Sequence, residues 1–325
     1  MVRLLLPEQT TSRNAATTGK KVEFERFTRQ FDIAARERKV TIKSILVPVT
    51  DTASSRSAVE VAFLTAQRFN AHVRGLHVRP HPIDNLPHIS ESMATRTGQL
   101  VSKAKERVDQ AARHAHHLFE RVRREVGVKQ IDEPPAAGAS ASWALATGKA
   151  PLLVAESGRV FDLVVVGRGT LDSNHDNRAI FQAALFGTGR PVLIAPPEAP
   201  ARLGRSIVLA WNRSALSARA AAAALPFFHQ ADQVTIIHVA TGVKAGPPSD
   251  EIARCLAWQN IRPVVRELTP RRGGVGEVIL SEAAAVGADL LVMGAYSHNR
   301  FREAILGGVT KQVIADASLP ILMTH

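Results

Sequence analysis

Two adjacent glycines, Gly307 and Gly308, stand at the head of a helical pattern near the C-terminus, thirteen residues beyond another glycine, Gly294. Gly294 follows the apolar run Ala288-Asp-Leu-Leu-Val-Met293, so a buried strand delivers it into a loop. Glycines let a backbone come close to a ligand, and unpaired N–H groups at a helix N-terminus attract phosphate. Val309, Thr310 and Lys311 sit at or near that helix start. The stretch therefore reads as a phosphate cradle, although a loop bounded by glycines also arises wherever a turn needs positive φ.

Other chemistries find less support. Thr147-Gly-Lys149 lacks both the upstream glycine and the following hydroxyl residue of a phosphate-binding lysine loop. No G-x-S-x-G elbow occurs, and Gly273-Gly-Val-Gly276 lacks the third glycine of a dinucleotide fingerprint. His114, His116 and His117 lie beside or opposite an apolar helical stripe with no third type of ligand nearby in sequence, which favours solvated histidines over a metal site. Cys255 is the single cysteine, so no disulfide forms within the chain and a cytoplasmic location is expected. The run Leu4-Leu-Leu6 ends at Pro7, and no later apolar run reaches spanning length, so neither secretion nor a membrane span is expected.

The net charge of +12 raises the question of nucleic acid. It is spread as excesses of 5, 4 and 3 over residues 1–43, 44–204 and 205–325, with no basic stripe interleaved with aromatics. Specific nucleic-acid binding is not expected.

The elements that must hold the cradle follow from periodicity. Residues 1–42 are polar, with Phe24, Phe27 and Phe31 on one short amphipathic pattern, and read as a flexible arm whose removal should not affect folding. From Lys43 onward strands and helices alternate: strands at 45–49, 73–78, 161–166 and 191–195, a weaker one at 141–146, and helices at 54–69, 100–126, 150–158 and 180–186. The second half repeats the plan. Residues 207–211 match 45–49, 236–239 match 75–78, 288–294 match 161–167, and 320–322 match 191–193. Four matches in one order indicate an internal duplication. The halves are bounded at 43–198 and 205–325, joined near Pro196-Pro-Glu-Ala-Pro200. Alternating strands and helices predict an α/β fold of two tandem doubly wound parallel sheets.

The 294–310 stretch resembles the C-terminal motif of the universal stress protein family: glycine, two residues, glycine, nine residues, glycine, then serine or threonine. Gly294 and Gly307 match the first and third glycines, Ser297 stands at the second, and Gly308 replaces the hydroxyl residue, with Thr310 two positions on. Both halves resemble the family's domain over residues 43–325. The resemblance implies Rossmann-like five-stranded sheets in the order 3-2-1-4-5, with a ligand crevice at the carboxyl ends of strands 1 and 4. It implies an adenine nucleotide, ATP, in the second half: Gly294, Ser297, Arg300, Gly307, Gly308, Val309 and Thr310 around the phosphates, Asn212 and Val239 at the nucleoside end. Magnesium would enter only with ATP. Asn212 stands where the family's ATP binders carry aspartate, so weaker affinity is expected, and Trp211 beside it could stack on a base or fill the pocket. In the first half Thr50 falls at the aspartate position and Arg178 and Ala179 opposite Gly307 and Gly308, so that cradle reads as lost. The implied role is a stress-response regulatory module; a slow ATP hydrolase and a scaffold without nucleotide are the alternatives. Protein partners and a homodimer are left open. The last strands, 191–195 and 320–323, are expected to pair, because an apolar edge left bare invites aggregation.

Overall fold

In the computed structural model the described residues are 41–81, 94–168, 175–242, 246–270, 274–295 and 308–325. The amphipathic pattern at Phe24, Phe27 and Phe31, together with Ser297, Arg300 and Gly307, lies outside them. Residues 42–325 form one unit.

The first half contributes β1 (Ser44–Pro48), α1 (Ala53–Phe69), β2 (His72–Arg79), α2 (Ala94–Glu125), β3 (Lys129–Gln130), β4 (Ser140–Thr147), α3 (Ala150–Gly158), β5 (Leu163–Gly167), α4 (His175–Gly187) and β6 (Val192–Ala195). The second contributes β7 (Ser206–Ala210), α5 (Ala215–Ala223), α6 (Leu225–Phe228), β8 (Gln233–Val239), α7 (Ser249–Ala257), β9 (Val264–Leu268), α8 (Gly274–Ala285), β10 (Leu290–Gly294), α9 (Gly308–Asp316) and β11 (Ile321–Thr324). Local chemistry sets several ends. Asn70 adopts the left-handed conformation that stops α1, with its N–H donating to Ala66 O. The Ser214 hydroxyl caps α5 by accepting from the Ser217 N–H.

The strands form one eleven-stranded sheet in the order β3-β4-β2-β1-β5-β6-β11-β10-β7-β8-β9. Every neighbouring pair is parallel except β6 and β11, which meet antiparallel with Leu193 opposite Leu322. The two expected sheets are thus fused through their last strands, each covering the other's apolar edge. Counting the five repeated strands of each half in chain order, both read 3-2-1-4-5 outward from the far edge. The first half adds β3, a two-residue strand on the outer side of β4 that apolar periodicity could not announce, since Lys129 and Gln130 are exposed.

Alternation along each strand sends side chains to two cores. Ile45, Val47, Ile207 and Leu209 face one side, where α1, α2, α5, α6 and α7 pack. Leu46, Val208, Leu291 and Ile321 face the other, under α3, α4, α8 and α9. Both cores run across the junction of the halves. On the first face Phe69 meets Phe227 edge-on at 4.9 Å. Beside them the Arg68 guanidinium donates to Gly204 O and Gln230 O of the second half. On the second face Arg168 of the first half reaches the end of α9.

Candidate functional site

Chain direction brings the candidate residues to one end of the second-half sheet. In a parallel β-helix-β unit the helix returns antiparallel to its strands, so α9, between β10 and β11, begins at their carboxyl ends. Register places Met293 beside Ala210, so Gly294 leaves β10 level with Trp211 leaving β7. The Trp211 N–H donates to Ile237 O, which sets the end of β8 alongside. Asn212, Val239, Gly294, Gly308, Val309 and Thr310 therefore share the crevice end of strands β8, β7 and β10. The chain diverges there: β7 leads by α5 to β8 on one side, and β10 leads by α9 to β11 on the other.

The two glycines at this end have different reasons to be glycine. A Cβ on Gly294 would stand 2.6 Å from the Leu216 carbonyl carbon and 2.7 Å from the Ser217 nitrogen. The first turn of α5 thus sits directly against β10, and only glycine fits between them. Gly167 does the same in the first half, where a Cβ would meet the Ser54 backbone. At Gly308, by contrast, an added Cβ meets none of the described residues within 4 Å. Gly308 is exposed, Val309 is half-buried and Thr310 is buried.

The strand-1 loop is closely organised. Asn212 Oδ1 accepts from both the Ser214 N–H and the Ser214 hydroxyl, and the residue is exposed. Arg213 takes a left-handed φ of 66°, and Gly246 at φ 93° lies so close that a Cβ would strike Arg213 O. Trp211 is 3% exposed and its indole N–H donates to Pro247 O at 3.1 Å. The indole is packed in the core shared with α5 and α7.

In the first half the same end is lined by hydroxyls. Thr50, Thr52, Ser54 and Ser55 hydrogen-bond among themselves through their hydroxyls. Asn177, Ile180 and Phe181 of α4 stand over the ends of β1 and β5, leaving a cavity of about 20 Å³. That is room for about one water. Arg168 follows β5 in the place where Ala295 follows β10, and the two make the same backbone bond, to Ala195 O and Thr324 O respectively. The Arg168 side chain donates to Ile314 O at 3.2 Å and to Ala317 O. Burial lowers its pKa, and Asp316 partly offsets the shift.

Several paired polar residues went unassigned from sequence. Asp162 accepts from the Lys43 and Ser44 N–H groups at 2.9 Å, and Asp289 from those of Arg205 and Ser206 at 3.1 Å. His77 Nδ1 bonds Val49 O and His238 Nδ1 bonds Trp211 O, at 2.7 and 2.8 Å. Each ties strand 1 to a neighbour in both halves. Their signal was available: an Asp just before the fourth repeated strand and a His near the end of the second recur at matching positions in each copy. The histidines of α2 are exposed, with His116 5.0 Å from the Trp143 ring. Among the described residues no helix is long and apolar enough to cross a membrane.

The model of the Universal stress protein family matches residues 41–141 and 249–325, together more than half of the chain. Among solved structures, a universal stress protein from Archaeoglobus fulgidus DSM 4304 is 15% identical, covers 86% of this chain and 97% of its own, and has a TM-score of 0.62. A protein of unknown function from Pseudomonas aeruginosa PAO1 is 16% identical over 87% of this chain and 92% of its own, with a TM-score of 0.48. A universal stress protein in complex with cAMP is 15% identical over 49% of this chain and 99% of its own, with a TM-score of 0.29. Among curated proteins nothing matches in sequence. At such identities the structural likeness speaks for the fold, while the family model reaches both halves, and by that match the chain belongs to the universal stress protein family.

Proposed function

We propose that this universal stress protein is a stress-response regulatory module that binds an adenine nucleotide, ATP, in its second half, with magnesium arriving only alongside the triphosphate. The observation that carries the reading is the exposed backbone at Gly308, at the N-terminus of α9, where none of the described residues packs closely enough to account for the glycine. A helix N-terminus offers unpaired N–H groups and a partial positive charge, the requirements of a phosphate. Asn212, exposed at the end of β7, and Val239 would take the nucleoside end. Gly307, Ser297 and Arg300 complete the phosphate side in this reading. The domain division at 43–198 and 205–325 belongs to the same proposal, with nucleotide confined to the second domain.

Asn212 carries no charge where an aspartate would, and the loss of one charge-assisted hydrogen bond costs about 1.5–3 kcal/mol. A Kd weakened toward the millimolar range is therefore expected. Calorimetric titration of the parent and of Gly308→Val tests the reading, with ATP and cAMP as ligands. A side chain at Gly308 meets none of the described residues within 4 Å of its Cβ. The variant should therefore keep the parent's thermal midpoint and lose at least about tenfold in ATP affinity. Equal ATP binding by both proteins would place any nucleotide elsewhere, and a parent preference for cAMP would redirect the ligand assignment.

A further inference from the structure

The α9 helix has two ends, and different halves of the molecule own them. Its last carbonyls are among the groups an α-helix cannot satisfy internally. The Ala317 N–H takes Val313 O, while Ile314 O and the adjoining Ala317 O accept from the Arg168 guanidinium. A cation there also complements the negative end of the helix dipole. Arg168 belongs to the first half and leaves β5 at the end lined by Thr50, Ser55, Asn177 and Phe181. Its counterpart Ala295 is fully buried and has no side-chain donor. At the end of α4 the Thr188 hydroxyl donates to Ala184 O, and Phe186 meets the ring of His325 of the second half edge-on at 4.7 Å. Arg168 thus ties the first half to the helix that begins at the crevice end of the second.

We infer that Arg168 is a positioning residue for the second-half nucleotide site, fixing α9 from its C-terminus so that the first turn at Gly308 stays aimed at the phosphates. This rests on the nucleotide reading above. The first half thereby gains a role of its own, its strand-4 loop serving as a clasp on its neighbour's helix.

The test uses the full chain with Arg168→Met, which keeps the side chain's length and removes its donors, and Arg168→Lys, which keeps charge and one donor group. Two readouts are needed: amide hydrogen exchange across residues 308–316, and ATP affinity by calorimetry. In Arg168→Met, exchange in α9 should accelerate about tenfold. Exchange in β7, remote from the contact, should not change. ATP should bind about tenfold more weakly, and Arg168→Lys should recover part of both effects. Unchanged α9 exchange in Arg168→Met overturns the clasp whether or not ATP binds. Faster α9 exchange with parental ATP affinity overturns the positioning role, leaving a purely structural contact. A parent chain that binds no ATP overturns the nucleotide reading and the positioning role together, and is told from the other failures by the parent titration alone. Should Arg168→Met fail to fold, Arg168→Ala, which also removes the donors, decides by the same two measurements: both must move in the same direction, and parental values for both overturn the inference.

Discussion

Gly294 and Gly308 look interchangeable as letters, yet one is held by packing and the other is free. At Gly294 any side chain meets the backbone of α5, which cannot swing away as a side-chain tip would. Gly294→Ala should therefore cost about 1–3 kcal/mol, as overpacking in a close-packed core does. Gly308→Ala should be close to neutral for folding, since its Cβ meets none of the described residues. Urea denaturation of the two variants beside the parent checks the difference, and equal midpoints for both would contradict the close approach of β10 and α5. The same scale explains Trp211. Its N–H bond to Pro247 O satisfies the indole's only donor. The ring is thereby committed to the interior.

Within elements, strand β2 shows how a polar side chain can hold a sheet in register. His72 stands opposite Ser140. Its ring nitrogens reach the hydroxyls of Ser140 and Ser142 on β4, at 2.9 and 2.8 Å. Burial is the main cause of its lowered pKa, with Arg74 adding to the shift and Asp132 opposing it. The unfolded chain therefore takes up this proton at higher pH than the folded one does. Its stabilising contribution is full above the unfolded value, about 6.5, and falls away as pH drops through the lower folded value. Thermal midpoints measured from pH 8 down to pH 5 should fall less steeply for His72→Gln than for the parent. Identical slopes would mean that His72 does not contribute to the acid sensitivity.

For the molecule as a whole, the decisive contact is the antiparallel pairing of β6 with β11. It converts two sheets with bare apolar edges into one, and lets Phe69, Phe227, Arg68 and Arg168 form bonds between the halves. Residues 205–325 produced alone would expose the β11 edge, whose residues Ile321, Leu322 and Met323 are buried in the whole chain. That fragment is expected to self-associate, because an unpaired apolar edge is a template for another strand. Sedimentation should show dimers or larger species; a stable monomer would mean that β6 is dispensable as a cover.

Periodicity and repetition by themselves determined the α/β class, the duplicated plan and the strands of the two cores, because alternation of apolar residues is a local property of the chain. The glycines Gly294 and Gly308 were legible as a strand end and a helix start, whereas Asn212 and Val239 entered the candidate site only through the family resemblance. The edge strand β9 escaped that reading, as did β3: Val264, Glu267 and Arg266 face solvent and leave no clear period. What only the tertiary structure decided were the relations between distant segments. Whether Trp211 is filler depends on Pro247, whether Gly294 is forced depends on Leu216 and Ser217, and whether Arg168 holds anything depends on a helix nearly 150 residues away. Each turns on a contact of a few ångströms between residues whose spacing in the chain carries no trace of it.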